Sequence, residues 1–277
     1  MSASHDRDDR QPEWDAVRAE DDRYVGWRDL TAWRSTLGRL MVTLTRRAAR
    51  RVGRYPALAL TLLIGVVLVV ALTAASVEIY EAVAEADGVA GLDKPVLQAA
   101  IAARTPSLDT AVTGFTTLGG PVVMPILAAV AVIGLAIRRR QVSPVLLMAV
   151  AAAGSLLMTI VGKSLVGRVR PPLADAVPPY ETSASFPSGH ALNAVVIAGV
   201  VAYLLVLRQR RWYTRTVTVA VAMLFAVAMG LSRVFLGHHW LTDVLVAWTL
   251  GLAWLAFVIT LHRLYLSVRD LRPRSGR

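Results

Sequence analysis

The amino-acid sequence predicts an all-α fold, a six-transmembrane helical bundle with both termini on the cytoplasmic side. Three observations carry this. Of 277 residues, 55% are hydrophobic and the mean hydropathy is +0.52, too apolar for a water-soluble domain of this length. Uncharged apolar runs recur near the length of about 20 residues that a helix needs to cross the hydrocarbon core. Arginine falls in clusters in alternate connections between those runs. The net charge of +11 is therefore assigned to cytoplasmic loops and not to nucleic-acid binding. The chain has no cysteine, which excludes disulfides and thiolate metal sites.

Residues 1–54 read as a polar cytoplasmic tail. Within it, 1–23 mix Asp and Glu with arginine and have no apolar core after a basic start, so a disordered tail is expected and not a signal peptide. Residues 24–45 set Tyr24, Trp27, Trp33, Leu37, Leu40 and Met41 among polar neighbours. An amphipathic helix on the membrane surface and a loosely ordered linker both fit that pattern. The membrane domain is expected over 55–262, with spans at about 56–77, 121–137, 142–163, 190–207, 215–233 and 243–262. Gly119-Gly120-Pro121 interrupts the apolar run that begins near 110, which sets the start of the second span. The long connection 78–120 predicts a helix over 92–103 and a restart at Pro106-Ser107-Leu108-Asp109. Residues 263–277 form a basic cytoplasmic tail.

Orientation follows from the arginines. Arg46, Arg47, Arg50, Arg51 and Arg54 precede the first span; Arg138, Arg139 and Arg140 separate the second from the third. Arg208, Arg210, Arg211 and Arg215 separate the fourth from the fifth; Arg263, Arg269, Arg272, Arg274 and Arg277 follow the sixth. Six alternating crossings put all four clusters on the cytoplasmic side of a plasma membrane, expected to be bacterial. The other side receives 78–120, 163–190 and 233–243, which hold most of the unusual polar residues.

Lys163 ends the third span, and if that helix runs on, Arg170 shares its face seven residues later. Two such cations suit a phosphate, but they also suit ordinary snorkelling at a helix end. Pro187-Ser188-Gly189-His190 opens the fourth span, with Ser188 as candidate N-cap and first-turn N–H groups that favour an anion. His190 there could donate a proton; a plain capped helix with an incidental histidine fits equally. Arg233 ends the fifth span. His239 and Asp243 follow, four residues apart, so that on a helix they meet on one face. A carboxylate that holds one imidazole nitrogen frees the other as a nucleophile. His238 cannot face Asp243 as well and reads as an incidental neighbour.

In order and spacing these residues resemble the signature of the type 2 phosphatidic acid phosphatase superfamily, which includes lipid phosphate phosphatases, bacterial acid phosphatases and vanadium haloperoxidases. That signature is a lysine, six residues and Arg-Pro; then Pro-Ser-Gly-His; then Ser-Arg, five residues, His, three residues and Asp. Here it reads Lys163…Arg170-Pro171, Pro187-Ser188-Gly189-His190 and Ser232-Arg233…His239…Asp243, with every position filled. The resemblance covers about 56–262 and implies an acid phosphatase/vanadium haloperoxidase-like core. It implies that His239 attacks phosphorus to form a phosphohistidine and that Asp243 orients it. Lys163, Arg170 and Arg233 would hold the phosphoryl oxygens, joined by the backbone N–H groups of Ser188 and Gly189 and the Ser188 hydroxyl. His190 would protonate the leaving oxygen and then activate water. Three cations and a helix N-terminus supply the charge stabilisation that phosphoryl transfer needs, so no metal or other cofactor is expected.

The pocket lies at the membrane surface, so the expected substrate is a lipid phosphate or a polyprenyl pyrophosphate such as undecaprenyl pyrophosphate, with its tails in the bilayer. The loop 172–186, with Tyr180, Glu181 and Thr182, is expected to shape the head-group pocket. The sequence assigns no oligomeric state. An anionic-lipid transporter or flippase is the alternative: it would use helix-end cations but leaves His190 and the His239–Asp243 pair without a role. Haloperoxidase chemistry in the same pocket is disfavoured by the six spans, since relatives with that activity are soluble.

Overall fold

In the computed structural model, the described residues are 23–25, 28–53, 55–56, 59–63, 65, 67 and 89–269. Their regular secondary structure is almost wholly helical. The expected first span at 56–77 lies largely outside them, as do the tails 1–22 and 270–277. The elements are β1 (Tyr24–Val25), β2 (Arg28–Asp29), α1 (Thr36–Val52), a 3-10 turn (Val89–Leu92), α2 (Asp93–Ala102), α3 (Pro106–Thr117), α4 (Val123–Arg139), α5 (Ser143–Val166), a second 3-10 turn (Leu173–Asp175), α6 (Gly189–Val206), α7 (Trp212–Phe235) and α8 (Leu241–Arg269).

Four helices, α5 to α8, are long and apolar enough to cross a membrane. At 17 residues α4 is shorter, though it is equally free of charge until Arg138 and Arg139. Large apolar side chains stand exposed along these helices, including Ile126, Val130, Ile133 and Ile137 on α4, Leu156 and Ile160 on α5 and Leu224 on α7. In water such a surface would promote aggregation; against lipid tails it is the expected one. The chain is a multi-pass membrane protein.

The chain divides into two compact units. One comprises the segment up to Leu62, Tyr203–Thr218 and Ile259–Arg277. Here the stretch 24–45, which the sequence left between a surface helix and a linker, forms a two-residue antiparallel hairpin and then α1. Asp29 closes the hairpin by pairing with Arg23 at 2.9 Å and accepting from Thr31 N at 2.8 Å. Ser35 caps α1 through Gly38 N at 3.1 Å. Trp33 donates its indole N–H to Ser267 Oγ at 3.1 Å, and Arg263 stacks over the Trp33 ring at 4.2 Å, so this segment is tied to the end of α8.

The larger unit comprises Leu63–Ala202 and Val219–Val258. Lipid offers little hydrophobic drive between helices, so their association rests on close packing and on polar contacts. Trp254 of α8 is 1% exposed and donates to Ala151 O of α5 at 2.9 Å. Ser155 of α5 donates to Asn193 Oδ1 of α6 at 2.5 Å, and Trp248 of α8 to Ala226 O of α7 at 3.2 Å. Thr116 of α3 accepts from Ser232 Oγ of α7 at 3.1 Å. These ties join α5 to α6 and α8, α8 to α7, and α7 to α3.

Candidate active site

Lys163 lies one turn before the end of α5. The helix stops at Val166 because Gly167 takes a left-handed conformation, φ +57°, which a side chain would resist. Arg170 therefore stands on the irregular stretch beyond, and the expected shared helical face does not form. The two cations converge instead by gripping the same loop. Lys163 Nζ donates to Ser183 Oγ at 2.8 Å and Ala184 O at 2.6 Å; Arg170 Nε donates to Ser183 O at 2.6 Å.

His239 and Asp243 also meet by a route other than the expected one. His239 precedes α8, and Asp243 is the third residue of that helix. The Asp243 carboxylate reaches back over the helix start, accepting from Trp240 N at 3.0 Å as in one half of a capping box. Its Oδ2 lies 3.5 Å from His239 Nδ1. Ser185 Oγ donates to the same oxygen at 2.5 Å, and Arg168 Nη1 donates to Oδ1 at 2.5 Å. His239 is 1% exposed and Asp243 fully buried.

The other imidazole nitrogen, Nε2, is 3.3 Å from Arg170 Nη1. Arginine can only donate, so Nε2 accepts and the ring proton is assigned to Nδ1, facing Asp243. Burial pushes the His239 pKa down, against the raising pull of Asp243, to about 4. The imidazole is thus neutral at pH 7, with its lone pair turned toward the cations.

Arg233, on the last turn of α7, is 2% exposed and donates to Thr116 Oγ1 at 3.1 Å. Its other terminal nitrogen pairs with Glu181 Oε1, while Glu181 Oε2 pairs with Arg170 at 2.8 Å. One carboxylate therefore bridges two of the three expected phosphate ligands. Burial would raise the Glu181 pKa, but the charges of Arg233 and Arg170 outweigh it and hold the group at about 2.

α6 begins at Gly189. The Ser188 backbone N–H donates to Asp243 O at 3.3 Å. The Ser188 hydroxyl is fully buried and has no hydrogen-bond partner among the described residues, so it does not cap α6 there. His190 occupies the first turn of α6. Gly119 lies against it: a Cβ there would sit 3.1 Å from His190 Cδ2 and 2.5 Å from Met229 Sδ. His238 turns away from the cations and donates Nε2–H to Val177 O at 2.7 Å, which pins the neighbouring loop. A cavity of about 500 Å³ opens beside Arg170, Glu181 and His238, with Val169, Leu173 and Tyr180 in its wall.

Lys163, Arg170, Arg233, His239 and Asp243 are thus linked through shared partners, with Ser188 bonded to the Asp243 main chain and His190 two residues further on. Four more residues enter the network: Glu181, Ser185, Arg168 and Asp93. Glu181 had a signal in the sequence, as the sole acid between Asp175 and Asp243 in a stretch rich in cations. Ser185, Arg168 and Asp93 had none.

Comparison with known proteins bears on this geometry. The PAP2 superfamily description matches residues 144–265. The chain is 35% identical over 176 residues to phosphatidylglycerophosphatase B of Bacillus subtilis (strain 168), covering 63% of this chain and 85% of that one. It is 38% identical over 80 residues to undecaprenyl-diphosphatase of Sulfolobus acidocaldarius, covering 29% of this chain and 34% of the relative. The crystal structure of a transmembrane PAP2-type phosphatidylglycerolphosphate phosphatase from Bacillus subtilis superposes with a TM-score of 0.60 at 32% identity, covering 68% of this chain and 93% of that one. With this helical architecture, and a relative matched over most of its length, the chain belongs to the PAP2 superfamily and is a membrane phosphatase.

Proposed function

We propose that the protein releases phosphate from a membrane lipid phosphate or polyprenyl diphosphate, through a phosphohistidine on His239, without a metal ion, at a site on the extracytoplasmic face. The observation that carries the mechanism is the state of His239. Nδ1–H is backed by the Asp243 carboxylate, and Nε2 lies 3.3 Å from an arginine suited to a phosphoryl oxygen. Lys163, Arg170, Arg233, the Ser188 hydroxyl and the Gly189 N–H hold the phosphoryl oxygens, with Glu181 giving way as they bind. Nε2 attacks phosphorus, the bond to the leaving oxygen breaks, and His190 supplies that oxygen with its proton. His190 then takes a proton from water, which attacks the phosphohistidine and frees phosphate and the imidazole.

The names of the two curated relatives support a lipid-linked phosphate or diphosphate as substrate. The length of α5 supports the sidedness. Lys163 lies about 30 Å along the helix from Ser143 at 1.5 Å per residue, about one hydrocarbon thickness. The Arg138–Arg140 cluster precedes the Ser143 end. Four long helices, α4 and the apolar run 56–77 together make six spans with both termini cytoplasmic.

The test is phosphate release by the detergent-purified chain, in a buffer containing EDTA, from phosphatidylglycerol phosphate and undecaprenyl diphosphate. His239→Ala, folded as judged by gel filtration and helical circular dichroism, is expected to release none. Turnover by that variant excludes His239 as nucleophile. Loss of wild-type activity in EDTA that Mg²⁺ restores excludes the metal-free mechanism.

A further inference from the structure

We propose that Arg168, backed by Asp93, is a positioning residue for this reaction: it fixes the Asp243 carboxylate and, through it, the His239 imidazole. The inference rests on the phosphohistidine mechanism above.

Arg168 lies inside the Lys163-to-Arg170 motif, at a position the motif leaves open. Its two terminal nitrogens point to two different carboxylates. Nη1 donates to Asp243 Oδ1 at 2.5 Å and to Thr242 Oγ1 at 2.8 Å; Nη2 donates to Asp93 Oδ2 at 2.7 Å. Asp93 in turn grips the first turn of α8. Its Oδ1 accepts from Thr242 N at 2.9 Å and its Oδ2 from Thr242 Oγ1 at 2.7 Å. Asp93, Thr242 and Arg168 therefore form a closed ring of charge-assisted hydrogen bonds on the helix turn that carries Asp243.

The two oxygens of Asp243 are used differently. Oδ1 is held by Arg168, while Oδ2 receives Ser185 Oγ, Trp240 N and the His239 side. A carboxylate held on both oxygens cannot rotate, so Oδ2 stays aimed at Nδ1. The contact between His239 and Asp243 is long at 3.5 Å. Such contacts tighten when substrate binds, and the direction from which they tighten is then what matters. A flat guanidinium, stacked on the Trp240 ring at 5.6 Å and bonded to two acids, sets that direction better than a flexible ammonium would. Asp93 opens α2, an outer helix that carries no motif residue. The role given to Arg168 thus extends the machinery to that helix.

A salt bridge that merely stabilised the fold would leave the turnover of correctly folded enzyme unchanged. The test is therefore the division between kcat and KM for phosphatidylglycerol phosphate in detergent, with wild type, Arg168→Met, Asp93→Asn and the His239→Ala blank. Groups that orient a reactive side chain from behind contribute about 10- to 100-fold. Folded Arg168→Met is expected to lose about 100-fold in kcat and Asp93→Asn about tenfold, with KM held within about threefold because no phosphate ligand is touched. Full kcat in folded Arg168→Met, or a loss that falls in KM, overturns the role of Arg168; full kcat in Asp93→Asn overturns that of Asp93. Where Arg168→Met does not fold, Arg168→Lys is measured in its place. It keeps the charge but not the two-pronged grip, so about a tenfold loss in kcat is expected, and an undiminished kcat overturns the proposal. Turnover by His239→Ala is the separate result that would sink the underlying mechanism.

Discussion

Replacing Asp243 by asparagine tests the centre of the mechanism, and its magnitude follows from the geometry. In the proposed mechanism Nε2 bonds to phosphorus, the imidazole becomes cationic, and the carboxylate 3.5 Å from Nδ1 stabilises that charge. At an effective dielectric constant of about 20, two unit charges at that separation attract by about 5 kcal/mol. Each 1.36 kcal/mol is a factor of ten in rate, so removing the charge is worth up to about 10³-fold. The amide also fails as an acceptor. Asp243 accepts from Arg168, Ser185 and Trp240 and faces the His239 ring, whereas asparagine has one accepting oxygen. Turned one way, its NH₂ group faces the Arg168 guanidinium. Turned the other way, it donates to Nδ1 and forces the ring proton onto Nε2, removing the nucleophilic lone pair. Both outcomes lower kcat and leave Lys163, Arg170 and Arg233 in place. The expected result is a fall of about 10³-fold in kcat with KM within a few-fold, measured as phosphate release in detergent against the His239→Ala blank. A folded Asp243→Asn protein within tenfold of wild type would refute the role of the carboxylate.

Three further outcomes are expected. Burial holds the His239 pKa at about 4, so its neutral form persists as pH falls from 7 and is lost only near that value. In chain labelled with ¹⁵N-histidine, the ring signals absent from His239→Gln should titrate near pH 4; a midpoint near the ordinary 6.5 would contradict the enclosure of the ring. His238→Ala removes the bond to Val177 O and leaves that acceptor unpaired, so the chain should lose about 1–3 kcal/mol of stability while kcat stays within a few-fold. A kcat loss comparable to that of His239→Ala would assign His238 to the chemistry. The absence of native cysteine allows Thr182→Cys to report sidedness: a membrane-impermeant maleimide should label it in intact cells, and labelling only after lysis would invert the topology.

The sequence made the helices and the motif residues legible because both are short-range signals. Apolar runs mark helices by length alone, and Lys163, His190, Arg233 and His239 sit where such runs end. What it could not show is how the residues meet. Gly167 halts α5 before Arg170, so the expected helical register between the two cations never forms. His239 lies outside α8, so its contact with Asp243 depends on the helix start folding back on itself. Asp93 pairs with Arg168 across 75 residues, a distance over which no spacing rule operates. The hairpin at 24–29 is two residues per strand, too short for any alternation to register.

If Arg170 and Arg233 hold the phosphoryl group as proposed, the bridge that Glu181 makes between them turns substrate binding into an exchange of anions. Two guanidiniums left bare at a membrane surface would recruit whatever anion the medium supplied. Here a tethered carboxylate already stands among them, at an effective concentration no dilute solute reaches. A single-charged ion such as chloride gains little by displacing it. A phosphate carrying close to two charges and three acceptor oxygens can also engage Lys163 and the Ser188 hydroxyl, and the balance tips. On the proposed mechanism, the resting protein thus favours a doubly charged phosphate over abundant monoanions at these two arginines, without any gate having to close.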